Sequence, residues 1–354
     1  MVVIPSDLPP SIQADLATVL EQLPHMEHGK LVRQALETIL RMMGREADRL
    51  DWKILNHALL DMEQGFQVFY PYRHTRKITI FGSARTGASS PDYQLAEQFA
   101  KQVTELGFMV MTGAGGGIMQ AGNAGAGPEH SFGLNIQLPF EQGANPVMEG
   151  DPKLINFKYF FTRKLFFLRE SDALVLFPGG FGTQDEGFEC LTLIQTGKAD
   201  PMPVIMMDHP GGDYWQGWDS YIRTHLLKRG LISPDDLSLY TITDNIDDAC
   251  YAISSFYRVY HSHRYTGDRL IMRLKCELSD AAVAVLNEEF SDLLSKGQIE
   301  KSAALPEELH DETALLPRLV MHFNHRDFGK LHQLIWRLND LGDHLPEATH
   351  PEQK

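Results

Sequence analysis

The chain has few cysteines, a deficit of basic residues and no long apolar run. Its 354 residues include only Cys190, Cys250 and Cys276, which are far apart and lack C-x-x-C spacing. Neither a disulfide framework nor a cysteine zinc site is therefore indicated, and a reducing cytoplasm fits best. No segment approaches the ~20 apolar residues of a membrane span, and the first residues lack the features of a secretion signal. We expect a cytoplasmic protein that does not cross a membrane.

Basic residues are outnumbered by acidic ones. The chain has 32 lysines and arginines against 47 aspartates and glutamates, which gives a formal net charge of −15. Affinity for a nucleic-acid backbone comes from clustered lysine and arginine, so an extended nucleic-acid partner is not expected. A small anion needs only local backbone amides and one or two basic side chains.

Several well-known catalytic motifs are also missing. Gly113 and Gly115 begin a glycine-rich run, but the dinucleotide fingerprint needs a third glycine where Ile118 stands. There is no P-loop and no G-x-S-x-G nucleophile turn. No carboxylate or cysteine stands at a convincing ligand spacing from the paired histidines, so neither a metal nor a cofactor is expected. These pairs are His261 with His263 and His322 with His325.

The pattern of apolar residues changes twice along the chain. Helical spacing over Ser11–Leu23 and Gly29–Met43 predicts two helices, and a run from Trp52 to Phe69 predicts a third. The third run suits packing on the main domain or, alternatively, a subunit contact. Alternating strands and helices then predict a parallel sheet with helices on both faces, a Rossmann-like α/β fold. The predicted parts are a helical extension (1–72), the Rossmann-like domain (73–261), a small α+β appendage (262–345) and a tail (346–354).

The central part of the chain predicts six strands, and three of them run into glycine-containing turns. These turns are Gly82-Ser83, Gly113–Gly117 and Gly179–Gly182. Because parallel strands end at one edge of a sheet, the three turns are expected at the same edge, where ligands bind in this architecture. The predicted strands are Lys77–Phe81, Phe108–Met111, Ser131–Leu138, Ala173–Phe177, Pro203–Met207 and Leu239–Ile242.

The turn after Ala173–Phe177 organises the predicted site. Gly179, Gly180 and Gly182 remove three side chains, so successive backbone amides can face one bound group. Thr183 adds a hydroxyl where the next helix begins. A helix N-terminus with free amides attracts phosphate or carboxylate. This turn therefore predicts an anion-binding loop.

Two carboxylates follow the loop directly. Asp185 and Glu186 would lie in the first helical turn, beside any phosphate that the loop binds. One explanation is that they complement the helix dipole. The other is that an acid here acts on the non-phosphate part of a ligand, such as a sugar. The spacing alone leaves both open.

Arg163 and Lys164 interrupt an aromatic run between Phe157 and Phe167. A helix of this composition is mostly buried, and a buried cation needs a partner. Either both side chains extend their charged ends to water, or Arg163 reaches the loop edge to hold a phosphate or to orient Glu186. Charge alone favours neither alternative.

These motifs together resemble one known family. Thr112-Gly-Ala-Gly-Gly-Gly-Ile-Met with Asn123, then Arg163-Lys164, then Pro178-Gly-Gly-Phe-Gly-Thr183-x-x-Glu186 are similar to the LOG family, named for the LONELY GUY cytokinin-activating phosphoribohydrolases. The resemblance covers roughly Lys77 to Tyr260. The stretch 131–142 is similar to the longer bacterial members, which were often labelled lysine decarboxylases.

The resemblance implies hydrolysis of the N-glycosidic bond of a nucleoside 5′-monophosphate, such as an AMP-like or cytokinin nucleotide, to free base and ribose 5-phosphate. It implies that Arg163 and Glu186 are catalytic and that the protein is a homodimer or larger homo-oligomer. The substrate-binding residues that it implies are Gly82, Ser83, Gly113, Gly115, Gly116, Lys164, Gly179, Gly180, Gly182 and Thr183. The chain departs from the family at Gln184, Ala114 and Gln120, where leucine, glycine and glutamate are commoner.

Two other functions are compatible with parts of the sequence. In a nucleotide-sensing module without turnover, the N-terminal helices or the appendage would transmit nucleotide occupancy to a partner. A decarboxylase would normally need a lysine that binds pyridoxal phosphate. Base release from AMP distinguishes the hydrolase from both.

Overall fold

The computed structural model describes residues 4–5, 8–138 and 143–342, and they fall into two units. One unit extends to Glu63 and the other begins at Gln64. The predicted tail 346–354 and the end of the 131–142 stretch lie outside the described residues. The predicted division of the chain after residues 72, 261 and 345 stays a prediction.

The first unit is helical, as its apolar spacing predicts. It contains α1 (Pro10–Gln22), α2 (Gly29–Met43) and most of α3 (Arg49–Phe69). Pro10 occupies the first helical position of α1, where its missing N–H costs nothing. No helix of the described residues is both long enough and apolar enough to cross a bilayer.

The second unit is built on a seven-stranded sheet in which all neighbouring strands are parallel. Its strands are β1 (Lys77–Phe81), β2 (Met109–Thr112), β3 (Ser131–Ile136), β4 (Leu154–Phe157), β5 (Ala173–Leu176), β6 (Val204–Met207) and β7 (Thr241–Thr243). Their order in the sheet is β4-β3-β2-β1-β5-β6-β7. Every residue of β1, β2, β5 and β6 is buried, as expected for strands covered on both faces. The predicted Rossmann-like α/β fold is confirmed.

Six α-helices alternate with these strands. One buried cluster joins Ile78 and Ile80 of β1 to Phe99, Ala100 and neighbouring residues of the first of these helices. Such packing of helices on a parallel sheet accounts for the burial of the strands. The helices are α4 (Pro91–Glu105), α5 (Ile118–Ala126), α6 (Phe160–Arg169), α7 (Phe181–Gln195), α8 (Tyr214–Tyr221) and α9 (Ile246–Phe256).

The strand order reverses between β1 and β5, and this reversal positions the candidate site. From β1 the chain adds β2, β3 and β4 on one side, and then returns to add β5, β6 and β7 on the other. The turns after β1 and β5 therefore begin at neighbouring strand ends, and the chain leaves them in opposite directions along the sheet. Ligands in open α/β sheets bind at such a reversal, outside the carboxyl ends of the strands.

Three predictions about elements in this part of the chain were wrong. The short strand β4 was missed, and α6 begins at Phe160 instead of Phe157 because the preceding residues pair with β3. The helix predicted over Tyr214–Arg229 is present, as α8 followed by a π-turn over Ile222–Leu226 and a 3₁₀ turn over Leu227–Arg229. The helix predicted to end at Tyr260 ends at Phe256, because Tyr260 begins a strand.

That strand belongs to a second, antiparallel sheet of four strands. The sheet has the order β10-β11-β9-β8, and α10 (Asp280–Glu289) and α11 (Phe328–Leu341) follow in the same region. Strand β8 consists of two tyrosines, two histidines, a serine, an arginine and a threonine, so its sequence lacks the apolar pattern of a strand. Its strands are β8 (Tyr260–Thr266), β9 (Arg269–Leu274), β10 (Leu294–Ser302) and β11 (Arg318–Phe323).

A buried carboxylate ties a loop to this second sheet. Glu308 Oε2 lies 2.8 Å from Arg318 Nε, and Glu308 Oε1 lies 2.7 Å from Arg273 Nη2. The side chains of Glu308 and Arg318 are both fully buried. Burial alone would raise the pKa of Glu308, but the hydrogen bonds from Arg273 and Arg318 outweigh it and hold the pKa below its ordinary value.

We expect Glu308→Gln to lower the free energy of unfolding by about 3–5 kcal/mol, because removing one partner leaves buried charge without compensation. The exposed neighbour Glu307 provides the matched control Glu307→Gln, which should change it by less than about 0.5 kcal/mol. Urea unfolding followed by circular dichroism measures both. Since the pKa of Glu308 is lowered on folding, the difference between wild type and Glu308→Gln should shrink as the pH falls through that pKa. Equal stabilities of the two variants at neutral pH would contradict the assignment.

Candidate active site

The glycine turn after β5 is shaped by close contacts with its own helix. A Cβ added to Gly179 would lie 2.1 Å from Thr183 Oγ1, so no other residue fits there without moving the threonine. Gly180 is the N-cap of α7, and Thr183 is buried in its first turn. The loop therefore presents backbone at the start of a helix, where an anion is favoured.

The turn after β1 packs directly against this loop. The N–H of Ser83 donates to the carbonyl of Pro178 at 3.1 Å, and the N–H of Ile118 donates to the carbonyl of Ser83 at 3.1 Å. A Cβ added to Gly117, whose φ is 62°, would lie 2.2 Å from the Ser83 carbonyl oxygen. Glycine is required at position 117 both for its left-handed backbone and for this approach. The three predicted turns are thus joined at one sheet edge.

The turn after β2 is held by a buried network of polar side chains. Asn123 Oδ1 accepts from Thr112 Oγ1 at 2.6 Å and from Asn145 Nδ2 at 3.0 Å. Asn145 Nδ2 also donates to the carbonyl of Gly115 at 3.1 Å. The sequence analysis did not identify Asn145, since a single asparagine after a loop carries no distinctive spacing.

Ala114 in this turn adopts a left-handed conformation. Its φ is 55° and it is fully buried. The N–H of Ala114 donates to Thr112 Oγ1 at 3.0 Å, and its carbonyl accepts from the N–H of Asn145 at 2.7 Å. These bonds hold a conformation that costs a non-glycine residue about 1 kcal/mol. This explains why glycine suits the position.

Arg163 projects from α6 toward the turn after β2. A Cβ added to Gly113 would lie 3.7 Å from Arg163 Nη1, and the guanidinium lies 5.0 Å from the ring centroid of Phe160 and 5.5 Å from that of Phe167. Its Nε is buried, and no described residue accepts a hydrogen bond from it. Burial lowers the pKa of Arg163, and the nearby charge of Glu186 opposes this effect.

Glu186 is a buried carboxylate held by a lysine. It is 7% exposed, and its Oε2 lies 3.1 Å from Lys164 Nζ. Lys164 Nζ also lies 2.9 Å from Asp185 Oδ2 and 2.7 Å from Glu189 Oε2. One sequence-based alternative was that Arg163 orients Glu186. The ion pair to Glu186 comes from Lys164, and Arg163 interacts with Glu186 only through its nearby charge.

The protonation of Glu186 depends on opposing effects. Burial raises the pKa of Glu186, whereas the charges of Lys164 and Arg163 lower it, and the net result is a raised pKa. Burial lowers the pKa of Lys164, but its hydrogen bonds to Glu189 and Asp185 outweigh burial and raise it. Lys164 therefore stays charged, and the pKa of Glu186 is higher than that of an exposed glutamate.

The structure therefore brings most of the predicted site residues to one edge. Arg163, Lys164 and Glu186 lie together beside the glycine turns, with one acid and two cations next to free backbone amides. This arrangement can bind an anionic group through amides and place a carboxylate beside the remainder of the ligand. The roles of the individual residues stay predictions.

Tyr214 braces the loop after β5 and was not identified from the sequence. Its hydroxyl donates to the carbonyl of Gly179 at 2.5 Å and accepts from Gln184 Nε2 at 2.7 Å. The N–H of Tyr214 donates to Asp208 Oδ2 at 2.9 Å. Gln184, which departs from the commoner leucine, is thus a partner of Tyr214. The contact between Tyr214 and Gly179 could not be predicted from the sequence, because the two residues are 35 positions apart along the chain.

One further group of polar side chains lies at the carboxyl end of β6. Ligand atoms of Asp92, Asp208 and His209 lie within 4.8 Å of one another, the spacing that a metal ion would need. His209 Nδ1 lies 3.0 Å from Asp92 Oδ1, and this hydrogen bond is the main cause of the raised pKa of His209. Both oxygens of Asp208 already accept from the backbone amides of His209 and Tyr214. These bonds explain the group without an ion.

Comparison with known proteins assigns the central part of the chain. Residues 111–253 match the family model described as "Possible lysine decarboxylase". The chain is 36% identical over 90 residues to a cytokinin riboside 5′-monophosphate phosphoribohydrolase of Mycobacterium tuberculosis, covering 25% of this chain and 46% of that protein. It is 28% identical over 182 residues to a protein of the same name from Rhodococcoides fascians, covering 51% of this chain and 90% of that protein.

The central part of the chain is similar to LOG-type proteins. The resemblance seen in the three motifs is thereby confirmed, although the match spans less than half the length of the M. tuberculosis relative. Among solved structures, the molybdenum cofactor carrier protein of Chlamydomonas reinhardtii is similar with a TM-score of 0.37 and 19% identity, over 51% of this chain and 96% of that protein.

We expect Tyr214→Phe to loosen the glycine loop after β5, because it removes the hydroxyl that bonds Gly179 and Gln184. Backbone amides of residues 184–187, which donate hydrogen bonds within the first turn of α7, should exchange with deuterium about tenfold faster, which corresponds to about 1.4 kcal/mol of lost local stability. Hydrogen–deuterium exchange with mass spectrometry measures this. The exposed Tyr221 provides the control Tyr221→Phe, which should leave the loop unchanged. Equal exchange in both variants would show that Tyr214 does not brace the loop.

Proposed function

We propose that this protein hydrolyses the N-glycosidic bond of nucleoside 5′-monophosphates and releases the free base and ribose 5-phosphate. The observation that carries the proposal is the buried carboxylate of Glu186 beside a glycine loop at a helix N-terminus, with Lys164 and Arg163 close by. The names of the two relatives support the same reaction class.

The phosphate of the substrate would bind at the start of α7. Backbone N–H groups of residues 180–183 and the Thr183 hydroxyl supply donors, and the helix dipole favours the negative charge. Arg163 would add a charged donor from α6. Binding energy from the phosphate, which does not react, then positions the sugar for bond cleavage.

The carboxylate accounts for the chemistry at the sugar. Departure of the base leaves positive charge on the ribose, which resembles an oxocarbenium ion as in glycoside hydrolysis. Ionised Glu186 would stabilise this charge and orient or deprotonate the attacking water. An acid beside a phosphate site is otherwise unfavourable, and Lys164 offsets that cost by its ion pair with Glu186.

The substrate range and the assembly follow from the resemblance. AMP-like or cytokinin nucleotides are the expected substrates, and a homodimer or larger homo-oligomer in the cytoplasm is the expected form. No resident metal or cofactor is needed for the proposed steps, since the protein groups provide the anion donors and the carboxylate.

Substitution of the proposed catalytic carboxylate is the direct test. Glu186→Gln should slow adenine release from AMP by about 10²–10⁴-fold, because the amide can neither accept a proton nor stabilise positive charge as well. Adenine release is measured by liquid chromatography and AMP affinity by calorimetry. The AMP affinity should stay within about threefold of wild type, since the phosphate contacts remain.

Asp185 provides the matched control, because it contacts the same lysine but its side chain is 63% exposed. Asp185→Asn should keep most of the activity. If both variants lose activity equally, the effect belongs to Lys164 and not to Glu186. If wild-type protein binds AMP without releasing adenine, the protein is a nucleotide-binding module and the hydrolase proposal is wrong.

The pH dependence tests the role of Lys164. Because burial raises the pKa of Glu186 and the charge of Lys164 lowers it, Lys164→Met should raise this pKa further. The acidic limb of the kcat/KM profile for AMP should therefore move to higher pH, since more alkaline solution is needed to ionise Glu186. Lys228→Met, at an exposed position outside the site, should leave the profile in place. An unshifted acidic limb in Lys164→Met would exclude Glu186 as its cause.

A further inference from the structure

A large cavity lies at the edge of the parallel sheet opposite to the glycine turns. Its volume is about 940 Å³, within the range of roughly 300–1,000 Å³ that is typical of small-molecule sites. Lys77 at the start of β1 and Asp172 and Met202 just before β5 and β6 contribute to its wall. Tyr260 and His261 of β8 in the second sheet complete the far side. The cavity therefore faces the amino ends of the strands.

The wall of this cavity is basic, although the chain as a whole is acidic. Six lysine and arginine side chains and four carboxylates line it, whereas the whole chain has 32 and 47. Three of the four carboxylates are already held by cations. The pairs are Asp172 with Arg76 (2.5 Å), Glu170 with Lys77 (3.6 Å) and Arg169 (2.9 Å), and Glu189 with Lys164 (2.7 Å).

Two lysines of the wall have no such carboxylate. The structure records no ion pair or hydrogen bond for the ammonium groups of Lys198 and Lys275 within the part of the chain that it describes. Burial and the charge of Arg76 lower the pKa of Lys275 to about 8, and the nearby Cys276 and Asp172 offset this only in part. Burial, Arg76 and Lys275 together lower the pKa of His261 to about 4. Basic groups thus crowd one side of the cavity.

Helix dipoles explain only some of these cations. Arg169 ends α6 and Lys198 follows α7, so both complement the negative ends of helices. Lys275 follows strand β9, where no helix end accounts for its charge. A bound anion would give this charge a partner.

Arg76 is held in place by groups of the cavity wall, Asp172 among them. Its guanidinium lies 3.7 Å from the ring centroid of Tyr257, and its Nη2 donates to the carbonyl of His261 at 3.3 Å. The Tyr257 hydroxyl in turn donates to the carbonyl of Asp172 at 2.6 Å. A cation held in place by stacking and hydrogen bonds loses little freedom when a ligand binds, which favours affinity.

We propose that this cavity is a second binding site, for a small phosphorylated anion that Arg76, Lys198 and Lys275 hold at the amino ends of the strands. The site is separate from the candidate active site, which lies at the carboxyl ends. Glu189 belongs both to the cavity wall and to the ion-pair network of Lys164. The two sites are thus joined through one carboxylate, and the binding proposal holds whether or not the protein cleaves nucleotides.

Calorimetric titration of the full chain with inorganic pyrophosphate tests the site. Lys275→Met should weaken pyrophosphate binding by about 10–100-fold, the loss typical of a hydrogen bond to a charged group. AMP affinity should stay within about twofold, because Lys275 is remote from the glycine loop. Lys101→Met, at an exposed position outside the cavity, provides the matched control and should change neither affinity. Lys275→Arg keeps the charge and should retain pyrophosphate binding.

Lys198→Met provides a second test in case Lys275→Met does not fold. Lys198 is exposed, so its substitution should leave the fold intact. It should weaken pyrophosphate binding in the same direction. Unchanged affinity in a folded Lys275→Met and in Lys198→Met would overturn the proposal, since any pyrophosphate would then bind at the glycine loop. Absence of pyrophosphate binding to wild type, together with a changed oligomeric state of Lys198→Met, would assign the cavity to a contact between subunits and would equally overturn it.

Discussion

The candidate site depends on the close approach of three backbone turns at one edge of the parallel sheet. The N–H of Ser83 donates to the turn after β5 and its carbonyl accepts from Ile118 at the end of the turn after β2, so one residue links all three. A side chain at Gly117 would meet the carbonyl oxygen of Ser83 at 2.2 Å, and these two turns could not then come together. The anion loop, the buried carboxylate and the cations of α6 all take their positions from this junction.

A second constraint is the burial of charge around Lys164. Three carboxylates converge on a single ammonium group, and only Asp185 among them is mostly exposed. Breaking a buried ion pair is costly because it leaves charge uncompensated, so Lys164 and Glu186 hold each other in place. The same lysine keeps the pKa of Glu186 from rising as far as burial alone would take it. Stability and the proposed chemistry therefore rest on one contact.

Much of the architecture was predictable because its signals are local. Short apolar runs gave β1, β2, β3, β5 and β6, with ends shifted by only a few residues, and glycine turns follow β1, β2 and β5. The missed elements lack such signals. Strand β4 is short and lies at the edge of its sheet, and β8 is polar and edges the second sheet, so pairing with a neighbour determines both. The π-turn after Tyr221 is likewise absent from the spacing of apolar residues.

The sequence by itself determined the strand-turn-helix pattern, the glycine loop and the identities of Arg163, Lys164 and Glu186, because each of these is a property of neighbouring residues. Only the tertiary structure decided that Lys164 and not Arg163 pairs with Glu186, that Tyr214 braces Gly179, and that Asn145 holds the turn after β2. The same is true of the basic cavity, whose wall joins residues from Arg73 to Lys275. Such contacts join residues that are distant along the chain, and their geometry arises only when strand order and helix packing bring them within a few ångströms.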